Sequence, residues 1–246
     1  MGARRPELSG RRITSRPGAP TRVQVAAVWH PVSSGQAGLS RHHTVSVSPG
    51  LTRGRYLLRV MDPEETVIRA AARVFLTTGT VEMRALARRL GIGRATLYRW
   101  RGNRDDLLGD VLLWLGLRNL RRSEADVGTE PGPRRLLEVH AIHISRMTNS
   151  AGLRTFVRTE PDTASRLLLD ANGKVHVGMT RALADLIGRQ ELEAGWRAPL
   201  GPDRLAHIMA RVDETFMYAD LIARDVPNTE TPQLVFEMVL GLHHAD

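Results

Sequence analysis

From residue 62 onward, apolar residues recur at the three- and four-residue spacing of helices; the sixty residues before that hold no such rhythm. Asp62-Pro63-Glu64-Glu65 opens the first helix, with Asp62 as cap, Pro63 where a missing N–H costs nothing, and Glu65 closing a capping box. Val67, Ala70, Ala71, Val74 and Phe75 then line one face, and Gly79 ends it. Thr80 is the next candidate cap. Met83, Leu86, Ala87 and Leu90 predict a second helix over 81–90, which Gly91 breaks. A third spans 93–100, with Ala95, Leu97 and Tyr98 available to pack inward. After Gly102-Asn103, Arg104-Asp105-Asp106 opens a longer helix through residue 120.

The remainder stays helical. Gly128 to Pro133 reads as a loop, and Leu136 to Met147 as an apolar helix carrying His140 and His143. Further helices are predicted over 163–171, 173–193, 202–223 and 232–243, separated by Gly and Pro breaks. The fold class is therefore all-α: a three-helix head over 61–108 and a helical bundle over 109–246. A bundle of mostly buried helices encloses small pockets readily. Candidate lining residues are His140, His143, Met147 and Phe156, with His176, Met179, Phe216 and Tyr218 from the later helices; ordinary core packing is the competing reading for each. The last two long helices are the expected dimer interface. Val212, Phe216, Ala219, Leu221 and Ile222 would supply one side, and Leu234, Val235, Met238, Val239 and Leu242 the other, with intramolecular packing as the alternative.

Charge changes the picture only when it is located. The chain has 246 residues and a formal net charge of +9. Residues 1–60 hold ten arginines and one acid, Glu7, so the later residues balance. The overall basicity belongs to a leader and is no proof of nucleic-acid binding. That leader is rich in Gly, Pro and Ser and reads as disordered. A phosphate-tracking arm, an organelle transit peptide and an over-extended gene start, with Met61 as the alternative, remain open for it. No cysteine is present, which excludes disulfides, thiolate metal sites and thiol nucleophiles. No apolar run of membrane-spanning length occurs. His140 and His143 share a helix face, but no third ligand stands at a recognised spacing, so no metal or cofactor is expected. Nor is there a nucleophile elbow, P-loop or dinucleotide fingerprint to argue for catalysis.

Two short helices joined by a Gly-containing turn form a helix-turn-helix, whose second helix can enter a major groove. Seven arginines and no acid stand between Arg84 and Arg104, a local basic face in a neutral body. A solvated face on an ordinary helical domain is the competing reading.

The run from Val67 to Phe75, then Gly79-Thr80, then Leu86-Ala87-Arg88-Arg89-Leu90-Gly91-Ile92-Gly93-Arg94-Ala95-Thr96-Leu97-Tyr98, resembles the DNA-binding domain of TetR/AcrR regulators. The likeness continues through Asn103-Arg104-Asp105-Asp106-Leu107-Leu108. Leu97-Tyr98-Arg99-Trp100 with Gly102 is similar to the subgroup named after a regulator of quorum-signal degradation (the QsdR type). Arg101 stands where the family usually carries an aromatic. The resemblance implies a cytoplasmic homodimer at the bacterial nucleoid, a repressor released from an operator in double-stranded DNA by a small-molecule effector. It also places Arg94, Ala95, Thr96, Tyr98, Arg99 and Trp100 on or beside the recognition helix, with Thr80 and Arg104 holding phosphates at helix N-termini. Arg94 and Arg99 are the candidates for guanine edges, and Thr96 for a thymine methyl or a hydroxyl bond. A helical enzyme, or an interaction module that keeps the motif without reading DNA, is the rival function. The enzyme would lose turnover on changing His140 or His143; the module would be indifferent to Arg94→Ala and Arg99→Ala.

Overall fold

The computed structural model describes residues 63–242, which form helices and connecting loops with no strand among them. The leader, the Asp62 cap and the terminal His243-His244 lie outside the described residues. The head consists of α1 (Pro63–Thr78), α2 (Met83–Leu90) and α3 (Arg94–Arg101). A long α4 (Arg104–Asp126) follows. The body is completed by α5 (Pro133–Thr148), α6 (Ala151–Thr159), α7 (Pro161–Leu169), α8 (Lys174–Ala194), α9 (Pro202–Met217), α10 (Ala219–Ile222) and α11 (Glu230–Val239).

In α2 the anticipated Met83, Leu86, Ala87 and Leu90 are all buried. Its cap is not Thr80 but Glu82, whose carboxylate accepts from the N–H groups of Arg84 at 3.0 Å and Ala85 at 2.9 Å. Gly91, at φ 68°, reverses the chain in the left-handed region that a Cβ disfavours, and α3 starts three residues later. Of the α3 residues expected to pack inward, only Leu97 is buried; Ala95 and Tyr98 lie on the outer face. α4 opens with a capping box between Asn103 and Asp106 and runs past residue 120, because buried Leu120 and Ser123 keep it packed.

Three expectations for the body are corrected. A helix over Ala151–Thr159 was not foreseen, and its Ser150 cap and apolar trio Leu153, Phe156 and Val157 account for it. The helix anticipated over 202–223 breaks at Tyr218, which leaves the helical region at φ −112°, ψ 30°. The final helix begins at Glu230 rather than at Pro232: Asn228 Oδ1 accepts from the N–H groups of Glu230 and Thr231, and Pro232 falls in the first turn where its missing donor is harmless.

One apolar cluster runs from the head through α4 into α6 and α7. Its hinge point is Phe75 against Phe156, edge to face with centroids 5.6 Å apart. Beside it Gly152 lets α6 touch α1, since any Cβ there would collide with the Phe75 carbonyl and the Leu76 backbone. A second cluster joins α5, α8, α9 and α11 around Leu136, Leu186, Ile187, Leu205, Met209 and Phe236. Each fully buried side chain of this size contributes roughly 1.5–3 kcal/mol.

Candidate DNA-binding head and effector cavity

The outer face of α3 presents Arg94, Ala95, Tyr98 and Arg99 to solvent, and Tyr98 is 48% exposed. Thr96 and Trp100 are half-buried, and the Trp100 ring leans on the head core. Arg84, Arg88, Arg89, Arg94 and Arg99 are exposed, and none has an acidic partner among the described residues. This surface is geometrically able to lie in a groove and electrostatically unspent.

Thr80 and Arg104 sit differently. The Arg104 guanidinium donates to Glu160 at 2.6 and 2.8 Å, to the Thr80 hydroxyl at 2.5 Å and to the Val81 carbonyl at 2.9 Å. Thr80 Oγ1 in turn donates to Glu160 at 2.9 Å. The guanidinium beside it holds the Glu160 carboxyl below the usual carboxylate range, against the smaller opposing effect of burial. These two residues therefore tie the head to the α6–α7 corner in this conformation. Arg101 likewise reaches Glu64 at 3.2 Å and Asp110 at 3.4 Å, which gives a guanidinium a berth where the family usually has an aromatic.

Within the body a cavity of about 70 Å³ lies between α4, α5, α8 and α9. Five of the anticipated lining residues, His143, Met147, His176, Met179 and Tyr218, are on its wall. Three are elsewhere. His140 is buried and spends its Nε2 on Asp213 Oδ2 at 2.8 Å while its ring meets Phe236 edge-on. Phe156 is consumed by the junction with Phe75, and Phe216 lies outside the wall, half-buried at the end of α9.

Sequence reasoning missed Asp213 and Glu214, both on the cavity wall. Their signal was available. Asp213 falls in register with Leu205, Ala206, Met209, Ala210 and Met217, the buried stripe of α9, where an acid is out of place. Glu214 receives His176 Nδ1 at 2.6 Å and Arg211 Nη1 at 2.7 Å. Asn119 Nδ2 donates both to the His143 carbonyl and to His143 Nδ1, each at 2.9 Å. The carbonyl fixes the amide orientation, so Nδ1 accepts and Nε2 carries the proton. Burial above all, then the nearby His140 and Arg146, push His143 down to about 3, so its ring is neutral at pH 7. Burial also pushes the Tyr218 phenol well above its ordinary value, and it keeps its proton.

These features define a helix-turn-helix regulator with a body cavity. The family model for the tetracyclin repressor-like C-terminal domain matches residues 131–241. The structure of the R. erythropolis transcriptional repressor QsdR, from the TetR family, is similar at 31% identity and TM-score 0.67, covering 76% of this chain and 98% of that one. The TetR-family repressor AlkX from Dietzia sp. strain DQ12-45-1b, implicated in biodegradation of n-alkanes, shares the fold at 20% identity and TM-score 0.53, covering 73% and 94%. No curated protein sequence matches the chain. The chain belongs to the TetR family of transcriptional regulators, whose members bind DNA and small-molecule effectors and are generally not enzymes. No described helix is long and apolar enough to cross a membrane.

Proposed function

We propose that this chain is a ligand-responsive repressor: a cytoplasmic homodimer, at work on the nucleoid, that grips a palindromic operator and lets go when a small molecule enters the body cavity. The observation that carries the reading is the double membership of α4. Its Leu107, Leu108 and Val111 are buried in the head cluster, while Leu112 and Gly116 form part of the cavity wall. A rigid helix with one end in each place transmits a change in cavity shape to the head. The ligand can shift the heads only as far as it binds one arrangement better than the other.

Two heads must stand about 34–36 Å apart, or a multiple, to enter successive major grooves. The expected dimer residues divide: Val212, Val235, Val239 and Leu242 pack inward on the second apolar cluster, Leu221 packs on the first, and Ala219 is buried. Leu234 and Met238, four apart on α11, stay 59% and 65% exposed, and Ile222 is 51% exposed. These three support a surface waiting for a second copy. Leu234→Asp with Met238→Asp is expected to give monomers by light scattering at micromolar protein. A gel shift with a palindromic fragment from the gene's own upstream region tests the whole reading. A salt-sensitive, sequence-selective shift is expected, and its absence at micromolar dimer rules the repressor out.

A further inference from the structure

The cavity wall is chemically lopsided. Most of it is apolar, with Leu112, Ile144, Val175 and Leu183 fixed and Met147 and Met179 able to swing aside. Its volume of about 70 Å³ is roughly half that of an engineered cavity that holds benzene, so the occupant is compact. At the polar edge, Glu214 is already spoken for by His176 and Arg211. Asp213 is not. Its Oδ2 accepts from His140, but Oδ1 is buried and has no partner among the described residues. A buried carboxylate oxygen without a donor is strongly unfavourable, so the site is one hydrogen bond short. An entering group that displaces water from this edge has to restore that bond. His143 Nε2 and the Tyr218 hydroxyl on the same wall can donate, so a head that also accepts is served there, whereas an anionic head would share the wall with the Asp213 and Glu214 carboxylates.

We propose that the cavity selects a compact, largely apolar molecule with a hydrogen-bond-donating head, a hydroxyl or an amine, bound by Asp213 Oδ1, and that it refuses carboxylates. This rests on the regulator reading for its purpose but not for its chemistry. Asp213 is the specificity residue, and the flexible methionines set the tolerance for the apolar part.

The test uses the full chain with 1-hexanol, hexylamine and hexanoate, followed by calorimetry and thermal shift at pH 7. The alcohol and the amine are expected to bind roughly tenfold or more tighter than the carboxylate. The near-isosteric Asp213→Asn, which exchanges one acceptor for a donor, should erase or invert that order. Met179→Trp, which fills the cavity and leaves the Asp213 side chain unsubstituted, should abolish binding of both donor probes and carries the test if the first variant does not fold. The proposal is overturned if hexanoate binds as well as hexanol, if none of the three binds at millimolar concentration, if Asp213→Asn keeps the preference, or if Met179→Trp leaves binding intact. A separate ligand-free gel shift keeps the two readings apart. The head-group preference without an operator shift removes the regulator and leaves the cavity chemistry; a shift without the preference does the reverse.

Discussion

Arginines on the outer face of α2 and α3 and at the head–body junction are the same residue under opposite conditions. On α2 and α3, Arg84, Arg88, Arg89, Arg94 and Arg99 stand in water with no carboxylate partner among the described residues. At the junction arginines have met acids: Arg101 with Asp110 at 3.4 Å, Arg104 with Glu160 at 2.6 Å and Arg166 with Asp105 at 2.6 Å. The difference bears on the proposed function, because DNA affinity comes from releasing counterions and a charge already neutralised releases none. A total of +9 says nothing of this. What matters is which guanidiniums are still unspent.

The largest test of that contrast is Arg94→Ala combined with Arg99→Ala. A bidentate base contact is worth about 1–3 kcal/mol, so losing both should weaken operator binding by roughly a hundredfold or more. Fluorescence anisotropy at fixed salt reads the loss. The melting temperature should stay within a degree or two, because both side chains are exposed. Arg101→Ala removes the same charge from the junction and should do the opposite, lowering stability with little change in sequence preference. If the two variants behave alike, the distinction between spent and unspent arginines fails.

The sequence made the head legible because its helices are short, capped and strictly periodic: all four residues expected inside α2 are buried. It misplaced the α2 cap because Thr80 is an ordinary cap residue and Glu82 is not, and only the distant Glu160 shows what the Thr80 hydroxyl is for. On α3 the residues expected to meet DNA came from the family resemblance, and the structure shows Arg94, Ala95, Tyr98 and Arg99 exposed there, with Thr96 and Trp100 half-buried. The cavity was half readable. Met147, Met179, His143 and His176 could be picked out on apolar helices, whereas Phe156 looked equivalent until its contact with Phe75 80-odd positions earlier was in view. The break at Tyr218 carries no Pro or Gly to announce it. Pairings such as His140 with Asp213 depend on two helices meeting, which no local pattern contains.

A smaller effect separates buried from exposed titrating groups. His143 is held neutral down to about 3, whereas in the unfolded chain it protonates near its ordinary 6.5. Above 6.5 both states are neutral and the full stability is present. As pH falls below 6.5 the unfolded state gains the proton first, so stability declines until the folded pKa is reached. Between pH 7 and pH 5 the loss from this one group is roughly 2 kcal/mol, measurable as a shift in urea midpoint. His143→Leu should flatten the slope over that interval. An unchanged slope would mean that His143 is not shielded as its surroundings require. The exposed arginines of α3 should leave the same curve untouched.

The smallest effect tests whether the junction arginines are spent permanently or only in this conformation. Glu160 bonds both Thr80 and Arg104, the two residues that the family resemblance assigns to a phosphate. Glu160→Gln removes its charge and keeps its shape, at a stability cost of about 1 kcal/mol for a partly exposed pair. If Arg104 is then free for DNA, the slope of log affinity against log salt should steepen by about one unit, with affinity rising a few-fold at low salt. Arg104→Ala in the Glu160→Gln background should return the slope to that of the parent chain. Should Glu160→Gln lose stability and leave the salt slope alone, Arg104 is a structural clasp and the phosphate footprint ends with α3. Should the parent chain already show the steeper slope, Arg104 exchanges Glu160 for phosphate on binding, and the junction is the place where operator and effector compete.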